Sequence, residues 1–200
     1  MSKKIEDQIL NSSGVRDTAR ILEISPNTVI NHLKKKEPKS VNPHLLDKIE
    51  QEQLSRLDIE LYYDFQGDEF WSYVKKKSNP RWTWYFMEKN SGIIIAYEHG
   101  TRQDNVLREL MKKVSHLPLN VCYTDDWGAY HRLIPSEYSH VTGKAHTWKI
   151  ERKNLNFRTH IKRLNRKTVC FSKNEEIHDK VIGMYIERNY FKKGTFAKAG

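Results

Sequence analysis

Hydrophobic positions recur in two rhythms along this chain, and the change of rhythm divides it. Over residues 14–36 (GVRDTARILEISPNTVINHLKKK), Val15, Ala19 and Leu22 fall on one helical stripe, and Val29 and Leu33 on another. Between them Ile24-Ser25-Pro26 predicts a turn into a second helix. Ser25 is its expected cap, and Pro26 suits the first position, where no backbone donor is needed. Residues 1–13 are polar and expected to fray, while 37–61 form a charged, Pro-containing linker with a short helix over 45–61. From residue 62 the pattern changes. Aromatic and β-branched runs at 62–76, 82–88 and 93–98 are separated by Asn79-Pro80 and Asn90-Ser91-Gly92, as in an antiparallel meander. A helix over 104–114, a strand over 119–125, a short helix over 128–133 and a strand at 140–142 follow. A strongly basic helix is then expected from about 149 to 167. A last helix follows the capping-box pattern Ser172-x-x-Glu175 and carries Ile177, Val181 and Met184 on one face. Residues 192–200 are expected to be a loose tail, which leaves 62–191 as the main domain.

Composition narrows what such a chain acts on. Two hundred residues hold one medium domain and a small appendage, and 38% hydrophobic content suffices for a packed core. The formal net charge of +10 points to a polyanionic partner. The longest apolar run, 93–97, is far too short to span a bilayer, and the N-terminal MSKKIEDQIL has no apolar signal segment. Nucleic acid rather than membrane is therefore the expected partner, and a cytoplasmic, nucleoid-associated location follows from it. Cys122 and Cys170 have no paired spacing, so neither a disulfide framework nor a zinc site is expected.

Three hairpin strands, then helix, strand, helix, strand and helix, is the order of an α/β ribonuclease H-like mixed sheet flanked by helices. Two-metal phosphoryl transfer in such a fold needs hard oxygen ligands held by rigid elements. They come from the first strand, the end of the fourth strand and a late helix. The chain offers Asp64, Asp68 and Glu69 at the first place, Asp125 and Asp126 at the second, and Glu151 as the only acid of the basic helix. Period-two alternation sets Asp68 and Glu69 on opposite faces, so one of them at most faces a metal. Taken singly, each acid has an ordinary explanation in turn chemistry or ion pairing. The joint pattern is what points to catalysis. Glu151 sits about one residue's rotation from the stripe Ile150, Phe157, Ile161, Leu164, where it is expected to reach a cleft rather than open water.

Long motifs then identify a family. Asp68-Glu69-Phe70-Trp71-Ser72-Tyr73-Val74, Tyr123-Thr124-Asp125-Asp126-Trp127-Gly128-Ala129-Tyr130 and Ile150-Glu151-Arg152-Lys153-Asn154-Leu155 resemble the signature of insertion sequence 1 family transposases. The resemblance continues through Arg158 to Leu164, Cys170 to Lys173 and His178 to Gly183, and spans roughly 14–191. It implies a DDE catalytic domain that cuts and joins DNA with Mg²⁺ or Mn²⁺, two ions in all. Asp68, Asp125 and Glu151 carry over as both catalytic residues and metal ligands, with Asp126 the rival of Asp125. The implied partners are double-stranded DNA, as terminal inverted repeats and target, and further copies of the chain. The four-cysteine zinc finger usual before the helix-turn-helix in this family has no counterpart in residues 1–36, which lack cysteine.

Two stretches are expected to touch DNA. The second helix of the helix-turn-helix at 14–36 would offer Asn27, Thr28, Asn31 and Lys34 to the major groove, although Glu23 stands where such turns commonly have Gly. The basic helix would meet phosphates through Lys149, Arg152, Lys153, Arg158, Lys162 and Arg163. Trp127, beside Asp125, either stacks on a base or belongs to the core. Two other functions compete. His160-x-x-Arg163 with Tyr190 matches the catalytic groups of a tyrosine recombinase, though the strand-rich middle argues against its helical fold. A non-catalytic DNA-binding regulator, a degenerate transposase, is the other.

Overall fold

The computed structural model describes residues 1–45, 63–143, 148–165, 167–168 and 170–191. The short helix expected over 45–61 and the tail at 192–200 fall, apart from Leu45, outside these residues. Three helices come first: α1 (Ser2–Leu10), α2 (Val15–Ile21) and α3 (Pro26–Lys34). The strand-rich part follows with β1 (Tyr63–Tyr73), β2 (Pro80–Glu88), β3 (Ile94–Gly100), α4 (Asp104–Val114), β4 (Leu119–Thr124), α5 (Gly128–Leu133) and β5 (Ser139–Thr142). Helix α6 (Trp148–His160), a 3₁₀ turn at Lys162–Leu164 and α7 (Glu175–Tyr190) complete it.

The sheet order is β3-β2-β1-β4-β5. Strands β1 to β3 run antiparallel as a meander, and β4 and β5 run parallel to β1. This is the ribonuclease H-like arrangement expected from the element order. Residues 40–42 close the outer edge of β3 through Asn42 N–H to Ile95 O (2.8 Å) and Tyr97 N–H to Ser40 O (2.9 Å), so that edge is paired rather than open.

Alternation along the strands feeds two cores. Phe65, Trp84, Phe86, Leu107, Leu110, Cys122 and Tyr130 pack between one face and α4 and α5. Phe70, Tyr85, Met87, Ile150, Phe157, Val181 and Tyr185 pack between the other face and α6 and α7. Glycine permits a close approach on that side: a Cβ at Gly183 of α7 would meet the Tyr97 hydroxyl and come within 2.9 Å of Pro38 Cβ.

The N-terminal helices join this second core. Residues 1–13 do not fray: Ile5, Ile9 and Leu10 of α1 are buried in one cluster with Val29, Leu33, Val181 and Ile186. Their i, i+4, i+5 spacing supplies the apolar face that the charged residues around them conceal. Polar ties reinforce it, with Glu6 bound by Lys36 (2.5 Å) and His32 (3.0 Å) and Asp7 by Arg188 (2.5 Å). The turn between α2 and α3 follows the expected chemistry, since Ser25 Oγ accepts from Asn27 N–H (3.2 Å). Glu23 takes φ +54° there, the left-handed conformation that explains the usual preference for Gly.

Two boundaries differ from expectation. The basic helix ends at His160, because Ile161 turns extended (φ −116°, ψ 91°) and buries itself. Ser12 holds the break, its Oγ accepting from Lys162 N–H (3.1 Å) and donating to His160 O. The cap of α7 is Asn174, whose Oδ1 accepts from Ile177 N–H (2.9 Å), not Ser172. Ser172 is diverted to His178 Nδ1 (2.7 Å), while His178 Nε2 meets Ser72 Oγ (2.9 Å).

His178 is fully buried by these contacts, and burial, with Arg163 nearby, pushes its pKa down to about 3. Burial and the charge of Arg81 hold His99 down to about 3 as well. In the unfolded chain both take up protons as pH falls through about 6.5, while folded they stay neutral until about 3. Their contribution is therefore complete above about 6.5 and is lost as pH falls toward 3. Each adds a slope of up to about 1.4 kcal/mol per pH unit. Thermal melts followed by circular dichroism from pH 7.5 to 5 should show a falling Tm, and His178→Asn should flatten that fall.

Candidate active site

Asp68 and Glu69 sit at the middle of β1, paired across to Tyr85 and Trp84 of β2. The pleat turns them to opposite faces, as alternation requires. Asp68 looks toward α6, where Asn154 Nδ2 donates to its Oδ2 (2.6 Å); its Oδ1 accepts from Glu69 N–H (2.8 Å). Asn154 is itself fixed by Tyr85, whose hydroxyl donates to Asn154 Oδ1 (2.9 Å) and to Ile150 O (3.2 Å). Glu69 looks toward α4 and α5 and is fully engaged there. Arg102 Nε reaches its Oε1 (2.9 Å), and the hydroxyl of Tyr130 donates to its Oε2 (2.8 Å).

Asp125 follows the last residue of β4, the parallel neighbour of β1, and its Oδ1 accepts from Trp127 N–H (3.1 Å). Its charge is felt by both acids of β1. Burial first, and then the charges of Glu69 and Asp125, push Asp68 up to about 7 against the two hydrogen bonds it accepts. Burial also raises Glu69, with Tyr130 and Arg102 opposing and Asp125 adding to the rise. Asp126 points the other way, its carboxylate 87% exposed and paired with His131 (2.8 Å). Asp125 is therefore the acid brought to Asp68.

Glu151 is not drawn in. It is exposed in the first turn of α6, against the expectation that it reaches a cleft. Among the described residues no three His, Cys, Asp or Glu side chains stand close enough to hold a metal ion. Glu151 nevertheless lies three positions before Asn154, and such helix neighbours have Cβ atoms about 5–6 Å apart. The chemistry fits a divalent cation: the Asp68 carboxyl is desolvated and feels the charge of Asp125, and each of its oxygens keeps a lone pair beyond its hydrogen bond.

The expected DNA-contacting residues divide. Asn27, Thr28, Asn31 and Lys34 are all exposed on α3, as are Arg152 and Lys162. Lys149 turns back to Lys89 O (3.1 Å), and Lys153 to Gly92 O (2.8 Å) and the Tyr190 ring, with burial lowering Lys153 to about 8. Arg163 is covered, lowered by burial to about 10, with Nη1 at 3.5 Å from Ser172 Oγ. Arg158 is half-buried. Lys149 and Lys153 thus tie α6 to the β2–β3 turn, and Arg163 turns toward Ser172 ahead of α7, rather than standing on an open basic face. Trp127 belongs to the core, its ring 5.0 Å from Trp84 and 5.8 Å from Tyr130. The recombinase-like groups do not converge as a set either. His160 Nδ1 meets the Tyr185 hydroxyl, Arg163 faces Ser172, and Tyr190 packs against Phe157 and Tyr185.

Asn154, Arg102 and Tyr130 escaped sequence reasoning. Asn154 had a signal as a polar residue in the stripe Ile150, Asn154, Phe157, Ile161, and Tyr130 had one only as the end of a family motif.

A family model described as IS1 transposase matches residues 65–192, and one described as InsA C-terminal domain matches residues 1–37. The insertion element iso-IS1n protein InsB of Shigella dysenteriae is 46% identical over 124 residues, covering 62% of this chain and 94% of that protein. The insertion element IS1 protein InsB of Shigella flexneri is 39% identical over 124 residues, with the same 62% and 94% coverage. Among solved structures, the catalytic core domain of BIV integrase aligns with TM-score 0.41 and 12% identity, over 67% of this chain and 88% of that one. The Mos1 mariner paired end complex with Mn aligns with TM-score 0.44 and 11% identity, over 96% and 72%.

The geometry of the acid pair makes a prediction about titration. With divalent cations chelated, the Asp68 carboxyl should titrate near pH 7 when followed by carboxyl ¹³C NMR. Asp125→Asn should lower that midpoint by removing a neighbouring negative charge, whereas Asp126→Asn should leave it in place.

Proposed function

The chain belongs to the IS1 transposase family and is a transposase, a polynucleotidyl transferase, and on that premise we propose that Asp68, Asp125 and Glu151 are its catalytic acids. The observation that carries this reading is the desolvated carboxylate of Asp68 facing the charge of Asp125 at the junction of two parallel strands. Asp68 and Asp125 would hold two divalent cations, Mg²⁺ or Mn²⁺, together with Glu151 from α6. When bound, the cations stabilise the attacking and leaving oxygens of an in-line phosphoryl transfer.

The side chains of this chain do the rest. Asn154 keeps one oxygen of Asp68 oriented, and Tyr85 keeps Asn154 oriented. In the first reaction water adds to a phosphorus at the element's end and a 3′-hydroxyl leaves. In the second that hydroxyl adds to a target phosphorus and displaces a target 3′-oxygen, so no covalent link to protein is needed. The exposed residues Asn27, Thr28, Asn31 and Lys34 of α3 suit the reading of terminal inverted repeats in a major groove. Arg152, exposed next to Glu151, and Lys162, exposed beyond the far end of α6, suit phosphate contacts. Pairing two element ends calls for two copies of the chain, so a homo-oligomer is part of the proposal.

The test is cleavage of a terminal-repeat duplex by the purified chain with Mg²⁺. Asp68→Asn, Asp125→Asn and Glu151→Gln should each slow cleavage by about a hundredfold or more while leaving duplex binding intact. Near-wild-type cleavage by any one of them removes that residue from the set. Specific binding without any metal-dependent nicking by the wild type would favour the non-catalytic regulator instead.

A further inference from the structure

Glu69 is an acid in an awkward position. It follows Asp68 directly, is almost wholly buried, and its charge helps to push Asp68 upward. A buried ion pair gives little net stability over well-packed apolar residues, so stability alone does not account for an acid here. Its contacts give another reason. Oε1 takes Nε and Nη2 of Arg102 (2.9 and 2.7 Å), from the loop after β3, and Oε2 takes the hydroxyl of Tyr130 (2.8 Å), from α5. The Arg102 guanidinium lies 4.8 Å from the Trp127 ring and 4.9 Å from the Trp82 ring. The backbone N–H of Trp127 in turn donates to Asp125 Oδ1 (3.1 Å). The loop bearing Arg102 is pinned from β2, where Trp84, opposite Glu69 in the sheet, donates Nε1–H to Thr101 O (3.1 Å).

These contacts form a continuous chain between the two aspartates. It runs from Asp68 through the peptide to Glu69, across to Arg102, onto Trp127 and then to Asp125, with Tyr130 as a second tie between Glu69 and α5. Both oxygens of Glu69 are engaged on the sheet face away from Asp68, so Glu69 is not available as a ligand. We propose that Glu69, clamped by Arg102 and Tyr130, is a positioning residue that sets the spacing of Asp68 and Asp125 and thereby the affinity of this pair for a divalent cation. The inference rests on the metal-holding role of the pair proposed above and adds the device that keeps the pair in register.

The experiment is a Mn²⁺ titration of the full chain without DNA, with free Mn²⁺ read by electron paramagnetic resonance and folding by thermal melts. Asp68→Asn serves as the reference for loss of the site. Glu69→Gln, which keeps an acceptor for Tyr130 but opposes a neutral amide to Arg102, should weaken Mn²⁺ binding about ten- to a hundredfold. Tyr130→Phe and Arg102→Gln should shift it in the same direction by less, and they carry the test if Glu69→Gln does not fold. A folded Glu69→Gln with wild-type Mn²⁺ affinity and only a lower Tm overturns the inference and leaves the catalytic assignment standing. Complete loss of binding in Glu69→Gln, equal to Asp68→Asn, overturns it differently by making Glu69 a ligand. A wild-type chain that binds no Mn²⁺ removes both the inference and the reading beneath it.

Discussion

Burial and neighbouring negative charge raise the Asp68 carboxyl to about 7, and one source of that charge is Asp125, which follows β4 where that strand runs parallel to β1. Much of the surrounding structure serves that juxtaposition. The parallel pairing of β1 with β4 brings the two strands side by side, and α6 delivers Asn154 to one carboxylate. On the far face, Glu69, Arg102 and Tyr130 tie β1 to the loop and helix around Asp125. Repulsion of this kind is costly in a resting protein and useful to one that must attract a divalent cation.

Contacts of the same kind link the N-terminal helices to the sheet domain. Helices α1 and α3 do not float on a linker; they share a core with α7 through Ile5, Ile9, Leu33, Val181 and Ile186. Ser12 reaches across to hold the end of α6, the helix that carries Asn154 and Glu151. Helix α3, with Asn27, Asn31 and Lys34 exposed, is thus packed against the body that holds Asp68 and Asp125.

Much of this was legible in the sequence, for reasons that differ by element. Helix α4 and the short α5 have the expected bounds because strong periodicity and clear turn residues coincide there. Alternation alone separated Asp68 from Glu69, and the left-handed turn at Glu23 was visible as a missing Gly. Helix α1 was overlooked because its charged residues outnumber the three apolar ones that matter. The overlong basic helix and the misplaced cap of α7 share a cause. Ser12 at the first and His178 at the second impose tertiary contacts that local patterns do not contain. Charge was the least reliable guide: Lys149 and Lys153 spend theirs on backbone carbonyls of the β2–β3 turn.

The central claim is that Asp68 and Asp125, joined by Glu151 once a cation binds, form one metal-holding site. Anomalous diffraction from crystals soaked in Mn²⁺ addresses it directly. The account predicts an anomalous peak between the carboxylates of Asp68 and Asp125, with Glu151 turned inward from its exposed position to complete the set. A peak elsewhere, or Mn²⁺ held without Asp125, would contradict it.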